Sequence, residues 1–212
     1  MRWQSIKRGR AGSRQLALTF DDGPDPTWTP RLAALLGRFN IPATFFCIGR
    51  RAEKYPELVR SLIAQGHEIG NHSYTHLNLW YRSPGKIRDE IGRCQAALSM
   101  FTGELPVLFR PPFGDRGPQV LLEARRLNLS TILWSLDSKD WCSPPADTIT
   151  DRIRRKAQGG DILLFHDGSH DGRFIDRSST FEAIEELVPW FSGQRYEFVT
   201  VSALLAGAGV KR

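Results

Sequence analysis

Leu18-Thr19-Phe20-Asp21-Asp22-Gly23-Pro24 joins an apolar run to two adjacent carboxylates and a sharp turn. Adjacent carboxylates at the end of a buried strand repel each other, and they persist only where a cation or an arginine compensates them. Neighbours on extended or turning backbone point in different directions, so one carboxylate can hold a metal while the other faces what the metal activates. The competing reading is an ordinary Asp/Gly/Pro turn in which Asp22 caps a following helix.

Around this stretch the pattern alternates. Gln15 to Phe20 reads as the first strand, and Thr29-Pro30 as the capped opening of a helix burying Leu32, Leu35, Leu36 and Phe39. Ala43 to Ile48 is a continuous apolar run, the pattern of a strand covered on both sides. A helix from about Pro56 to Gln65, stopped by Gly66, precedes a strand from His67 to Asn71. Ser83-Pro84 opens a long helix reaching about Phe101, Pro106 to Phe109 is a short strand, and Pro118 starts the next helix. Ser130 to Trp134 and Asp161 to Phe165 read as strands flanking a helix from Asp147 to about Lys156. Ser179-Thr180-Phe181-Glu182 has the form of a capping box, and Glu197 to Val201 closes the series as a strand. Short apolar strands alternating with amphipathic helices predict parallel βα units, and about seven of them suit a closed or nearly closed barrel better than an open sheet.

The 212 residues suit a basic arm over 1–14 and a single domain over 15–212. Arg2, Lys7, Arg8, Arg10 and Arg14 precede any acid, and the arm reads as a solvated tail or, less often, a clamp for an anionic polymer or membrane surface. The formal charge of +6 leans towards polyanionic surroundings, but no zinc-finger spacing or aromatic RNA-binding motif supports nucleic acid. No apolar run approaches the roughly 18 residues of a membrane span, and the first residues lack the apolar core of an export signal. The expectation is a cytoplasmic monomer, or an extracellular or envelope protein if the chain has been trimmed. Three cysteines without a C-x-x-C pair do not form a disulfide framework; Cys47 and Cys94 read as buried small hydrophobes, and Cys142 has no base beside it.

Active sites of βα barrels sit at the carboxyl ends of the strands. Asp21-Asp22, Asn71-His72 with His76, Arg110, Asp137 with Asp140-Trp141, and His166-Asp167 each follow a predicted strand, so they converge on one rim. His72 and His76, four residues apart, can face one point, and with Asp22 they make a two-histidine, one-carboxylate set with positions left open for water and substrate. That set suits zinc or another first-row divalent ion, and it also occurs with iron in oxygenases. Arg110, stiffened by Pro111-Pro112, needs a carboxylate partner, and Asp21 is the one needing compensation. A carboxylate such as Asp140 beside His166 would fix its tautomer and raise its pKa, preparing a general acid. Phe113, Trp141 and Leu164 at neighbouring strand ends predict a small apolar pocket.

Thr19-Phe20-Asp21-Asp22-Gly23-Pro24, His72-Ser73-Tyr74-Thr75-His76, Arg110-Pro111-Pro112-Phe113, Asp137-Ser138-Lys139-Asp140-Trp141 and Leu164-Phe165-His166 resemble, in order, the five motifs of the polysaccharide deacetylases. This is carbohydrate esterase family 4, the nodulation-type deacetylase domain, and the likeness spans about Leu16 to Leu204. The resemblance implies a distorted (β/α) barrel of seven or eight strands and an N-acetylated oligo- or polysaccharide substrate. It implies Asp21 as base, Asp22, His72 and His76 as ligands of one divalent ion, Zn2+ first and Co2+ as an alternative, and Arg110 as the group orienting the base. It further implies the Phe113 amide at the oxyanion, Asp140 tuning the acid His166, and Trp141 and Leu164 lining the acetyl pocket. An O-deacetylase acting on acetylxylan and a non-catalytic carbohydrate-binding relative are the alternatives within the family.

Overall fold

The computed structural model describes residues 5–209, so Arg2 of the basic arm lies outside the described residues. β1 (Gln15–Asp21) is buried along nearly its whole length, because the apolar run leaves no polar face to turn to solvent. It is the hub of an all-parallel sheet. β2 (Thr44–Cys47), β3 (Glu68–Asn71), β4 (Leu108–Phe109) and β5 (Ser130–Thr131) follow on one side, and β7 (Ile162–His166) and β6 (Leu136–Asp137) on the other. β8 (Glu197–Phe198) pairs with the first two residues of β1. The sheet curls into a distorted barrel, open between β5 and β6 among the described residues.

Among the described residues, eight α-helices pack around it. α1 (Trp28–Arg38), α2 (Gly49–Lys54), α3 (Pro56–Ala64) and α4 (Pro84–Thr102) occupy the first half. α5 (Pro118–Arg126), α6 (Ala146–Lys156), α7 (Ser178–Gly193) and α8 (Val201–Ala206) complete it. The apolar stripes of α1, α3, α6 and α7 meet the sheet in one large cluster that holds Leu18, Phe20, Leu32, Leu36, Phe45, Leu163, Ile184 and Leu187, while α5 and α8 pack into two smaller ones. At its centre Phe20 and Phe45 stack at 4.9 Å across β1 and β2.

Several expectations are corrected by where hydrogen bonds go. α1 starts at Trp28, and its free amides at Thr27 and Trp28 are taken by the Asp25 carboxylate at 2.9 and 3.0 Å, so Thr29-Pro30 is not the cap. The Thr29 hydroxyl instead accepts from the Asp25 amide and donates to Asp167. The capping box at Ser179 is absent: α7 begins at Ser178 without a side-chain cap, and the Thr180 hydroxyl bonds Asp140 instead. The strand expected to reach Trp134 stops at Thr131, beyond which Leu133 turns its carbonyl to Arg110. The last strand ends at Phe198 because Thr200 caps α8 from Val201. The expected long helix from Ser83 is present, with the Ser83 hydroxyl accepting from the Lys86 amide and Gly103 ending it in the left-handed conformation.

The described part of the basic arm is tied to the barrel. Ile6 accepts from the Leu133 amide and donates to the Thr131 carbonyl, and Arg8 pairs with buried Asp161 at 2.7 Å.

Gly70 of β3 shows how packing reaches the site. It lies opposite Phe46 in register, and a Cβ there would stand 2.5 Å from the Phe46 ring. That ring is stacked beneath the Arg110 guanidinium at 4.1 Å. Gly70→Ala should therefore cost about 1–3 kcal/mol through overpacking, read as a lower urea midpoint at unchanged slope. An unchanged midpoint would mean that Phe46 has room to move.

Candidate active site

The parallel register sets the first two groups. Asp21 ends β1 directly opposite His166 at the end of β7, so both side chains emerge on one rim. The backbone then turns at Asp22 with φ of 75°, and Asp22 Oδ1 faces His72 and His76 while Asp21 Oδ1 meets Arg110. Ser73, His76, Phe113 and Lys139 also have left-handed backbone, which a non-glycine residue adopts only under constraint from its surroundings. Each lies in a loop of this rim.

Asp22, His72 and His76 come together: Asp22 Oδ1 lies 3.5 Å from His72 Nε2 and 3.3 Å from His76 Nε2, and all three residues are buried. Asp22 Oδ1 has no hydrogen-bond partner. A buried, unpaired carboxylate oxygen between two imidazole nitrogens is costly without a cation, so the donor set fits a divalent ion. His72 Nδ1 donates to the Arg110 carbonyl at 2.7 Å, which leaves the Nε2 lone pair for the ion. Burial, reinforced by the neighbouring His72, pushes His76 down to about 3, so it is neutral at physiological pH. Burial works against charge on Asp22 as well, but the neighbouring histidines outweigh it and hold the carboxyl below its usual range. Neutral imidazole and ionised carboxylate are the forms a metal binds, so His76 and Asp22 are ready for an ion, whereas at His72 the Asp21 and Asp22 carboxylates outweigh burial and push the pKa up, so an ion must displace its proton.

The loop carrying these histidines is shaped from behind. Asn71 accepts from the Ser73 amide and donates to the Ile91 carbonyl of α4, and the Ser73 hydroxyl accepts from the His76 amide. Glu90, 1% exposed on α4, accepts from the amide and hydroxyl of Thr75 at 2.9–3.0 Å.

Arg110 is wholly buried. One guanidinium nitrogen donates to Asp21 Oδ1 and to the Thr19 hydroxyl, both at 2.7 Å, and the other to Leu133 O at 3.1 Å. Asp21 Oδ2 stays on the metal side, 3.7 Å from His72 Nε2. Across the cavity, His166 Nδ1 donates to Asp140 Oδ1 at 2.7 Å, while Asp140 Oδ2 accepts from the His166 amide and the Thr180 hydroxyl. Burial opposes a charge on His166, but the Asp140 carboxylate dominates and pushes its pKa up to about 9.

Asp21, Asp22, His72, His76 and His166 line one cavity of about 450 Å³ whose apolar wall is Phe113, Trp134, Trp141, Leu164 and Ile175, with Arg110 and Asp140 behind it. All ten site residues singled out in the sequence therefore lie in this cavity or directly behind it. Trp134, Glu90, Arg177 and Thr180 were not foreseen. Arg177 donates to the Gly168 and Asp140 carbonyls, and Thr180 meets Asp140 across 40 residues of chain, which no local spacing announces.

Two measurements follow from this geometry. In metal-free protein, His166 should titrate by NMR near 9, and Asp140→Asn should return it towards its ordinary value of 6.5. Because the folded value is raised, the stability that Asp140→Asn forfeits should be full below pH 6.5 and vanish as pH rises through about 9. Glu90→Ala, which unpins Thr75, should weaken zinc binding about tenfold, the low end of outer-shell effects; unchanged affinity in a chelator competition would make Glu90 a packing residue only.

The polysaccharide deacetylase family model matches residues 8–132. A peptidoglycan-N-acetylglucosamine deacetylase of Bacillus cereus is 41% identical over 192 residues, which cover 90% of this chain and 87% of that protein. The crystal structure of the Bc1960 peptidoglycan N-acetylglucosamine deacetylase superposes with a TM-score of 0.89 at 32% identity, covering 95% of this chain and 92% of that one. A mutant of BA3943, a carbohydrate esterase family 4 pseudoenzyme with restored enzymatic activity, superposes with a TM-score of 0.88 at 30% identity over 97% and 72% of the two chains. The match of family model, relatives and fold places this chain in the polysaccharide deacetylase family.

Proposed function

We propose that the protein is a metal-dependent deacetylase that hydrolyses the acetamide of N-acetylglucosamine units in an oligo- or polysaccharide, peptidoglycan or chitooligosaccharide, and releases acetate. The observation that carries this reading is the convergence, in one cavity, of an arginine-held carboxylate, an unpaired Asp/His/His set and a carboxylate-held histidine. A non-catalytic family member would be expected to lack one of these groups, and here each is present with its supporting partner.

A divalent ion held by Asp22, His72 and His76, Zn2+ by preference and Co2+ as an alternative, supplies Lewis-acid polarisation of the acetamide carbonyl and of water. Asp21 is the base: Arg110 occupies Oδ1, so Oδ2 is the oxygen left to take the water's proton. The Phe113 amide donates to the oxyanion as the carbonyl carbon becomes tetrahedral. His166 then protonates the leaving nitrogen through Nε2, since Asp140 holds Nδ1. The C–N bond breaks, leaving acetate and the free amine. With its pKa near 9, His166 carries that proton throughout the neutral range. Trp141, Leu164 and the other apolar walls suit a methyl group and a sugar face.

No helix among the described residues is long and apolar enough to cross a membrane, and a peptidoglycan substrate would put the work at the cell envelope.

The decisive experiment compares acetate release from chitooligosaccharides, peptidoglycan fragments and acetylxylan, with bound metal measured on the same samples. Chelation should abolish release and zinc or cobalt restore it. Asp21→Asn should keep the metal while turnover falls about 10²–10⁴-fold, whereas Asp22→Asn should lose metal first. Full turnover of the metal-free protein, or loss of metal from Asp21→Asn, would refute the assignment; release from acetylxylan alone would make the protein an O-deacetylase.

A further inference from the structure

His170 belongs to none of the groups used above, yet it stands in the same cavity. Its ring lies 4.9 Å from that of His76, tilted by 31°, and 5.9 Å from Phe113. Its nitrogens are not among the ligand atoms that gather within 4.8 Å of one another, so it flanks the Asp/His/His set without joining it. The position is built rather than incidental. Arg50 donates to the His170 carbonyl at 2.7 Å, and buried Arg51 donates to the Ser169 carbonyl while also holding Pro24 and Asp25 behind the catalytic pair. On the other side Arg177 grips the Gly168 carbonyl. A loop clamped from both flanks holds an exposed imidazole over the mouth of the site.

The remaining polar lining is committed elsewhere. Asp137 accepts from the Lys139 amide and pairs with its ammonium, Ser169 donates to Asp171, and Arg177 is spent on carbonyls. Among the described residues the His170 imidazole has no hydrogen-bond partner. It is the one group in the cavity that offers both a donor and an acceptor nitrogen without a role in the reaction or a neighbour to satisfy it. Sugar hydroxyls need that combination, since each both gives and takes a hydrogen bond.

We propose that His170 is a specificity-determining residue that hydrogen-bonds a ring hydroxyl of the sugar whose acetamide is cleaved. The proposal rests on the deacetylase reading above. Packing against His76 places the imidazole beside the reacting unit rather than along a distant part of the polymer. His170 thereby separates recognition of the sugar from recognition of the acetyl group, which the apolar wall and the metal side of the cavity handle.

The test uses two probes on zinc-loaded Asp21→Asn protein, in which turnover is slowed: tetra-N-acetylchitotetraose, and acetohydroxamate as a metal-binding ligand with no sugar. Adding His170→Ala should weaken the tetramer about three- to tenfold, the worth of one net hydrogen bond, and leave acetohydroxamate within about twofold. His170→Gln, which keeps a donor and an acceptor, should recover most of the loss. In the otherwise wild-type enzyme the same alanine change should raise KM with kcat held. Equal weakening of both probes would show that His170 acts through the metal site, and an unchanged tetramer affinity would show no contact; either overturns the proposal. If the wild-type protein neither releases acetate nor binds the tetramer, the deacetylase reading itself falls. Activity with a normal KM in His170→Ala removes only the role of His170.

Discussion

A guanidinium with no solvent contact is expensive, and Arg110 is tolerated because its two terminal nitrogens and one face find compensation, although Nε has no partner. Asp21 and Thr19 take one nitrogen, Leu133 takes another, and the Phe46 ring lies flat beneath. Removing one partner of such a buried pair typically costs roughly 3–5 kcal/mol, since the other charge is left uncompensated. The same residue also uses its backbone: its amide donates to Asn71 and its carbonyl receives His72. One position thus orients the base through its side chain and a metal-binding imidazole through its main chain. The two halves of the chemistry share a single mechanical reference, so a shift of β4 would misplace both together.

Behind the rim, positioning is delegated to helices. α4 sends Glu90 to the Thr75 turn, and α7 sends Thr180 and, just before it, Arg177 to Asp140 and its loop. The loops themselves are irregular and carry left-handed residues, so local propensity alone would not hold them. Rigid elements lend their polar groups to them, which is how catalytic side chains on loops reach sub-ångström order.

This division explains what could be read from the sequence. β1 and β7 were legible because a parallel strand buried on both faces is a plain apolar run, and the strand-end position of Asp21, Asp22 and His166 followed from the barrel rule. Helix openings were less legible. Ser179-Thr180 and Thr29 have the composition of caps, but the Thr180 and Thr29 hydroxyls serve Asp140 and Asp167 from distant segments, and tertiary hydrogen bonds override the local motif. Short strands such as β5 and β6 contain two residues each, too few for any periodicity to register. Glu90 is invisible for another reason: in the pattern of a helix a buried glutamate looks like any solvent-facing one.

The left-handed turn at Asp22 has an evolutionary side. Asn and Gly occupy that conformation as readily as Asp or more so, and replacing one of two neighbouring buried carboxylates relieves their repulsion. The turn itself therefore does not demand an aspartate, and the carboxylate at this position answers to the histidines and the chemistry rather than to the backbone.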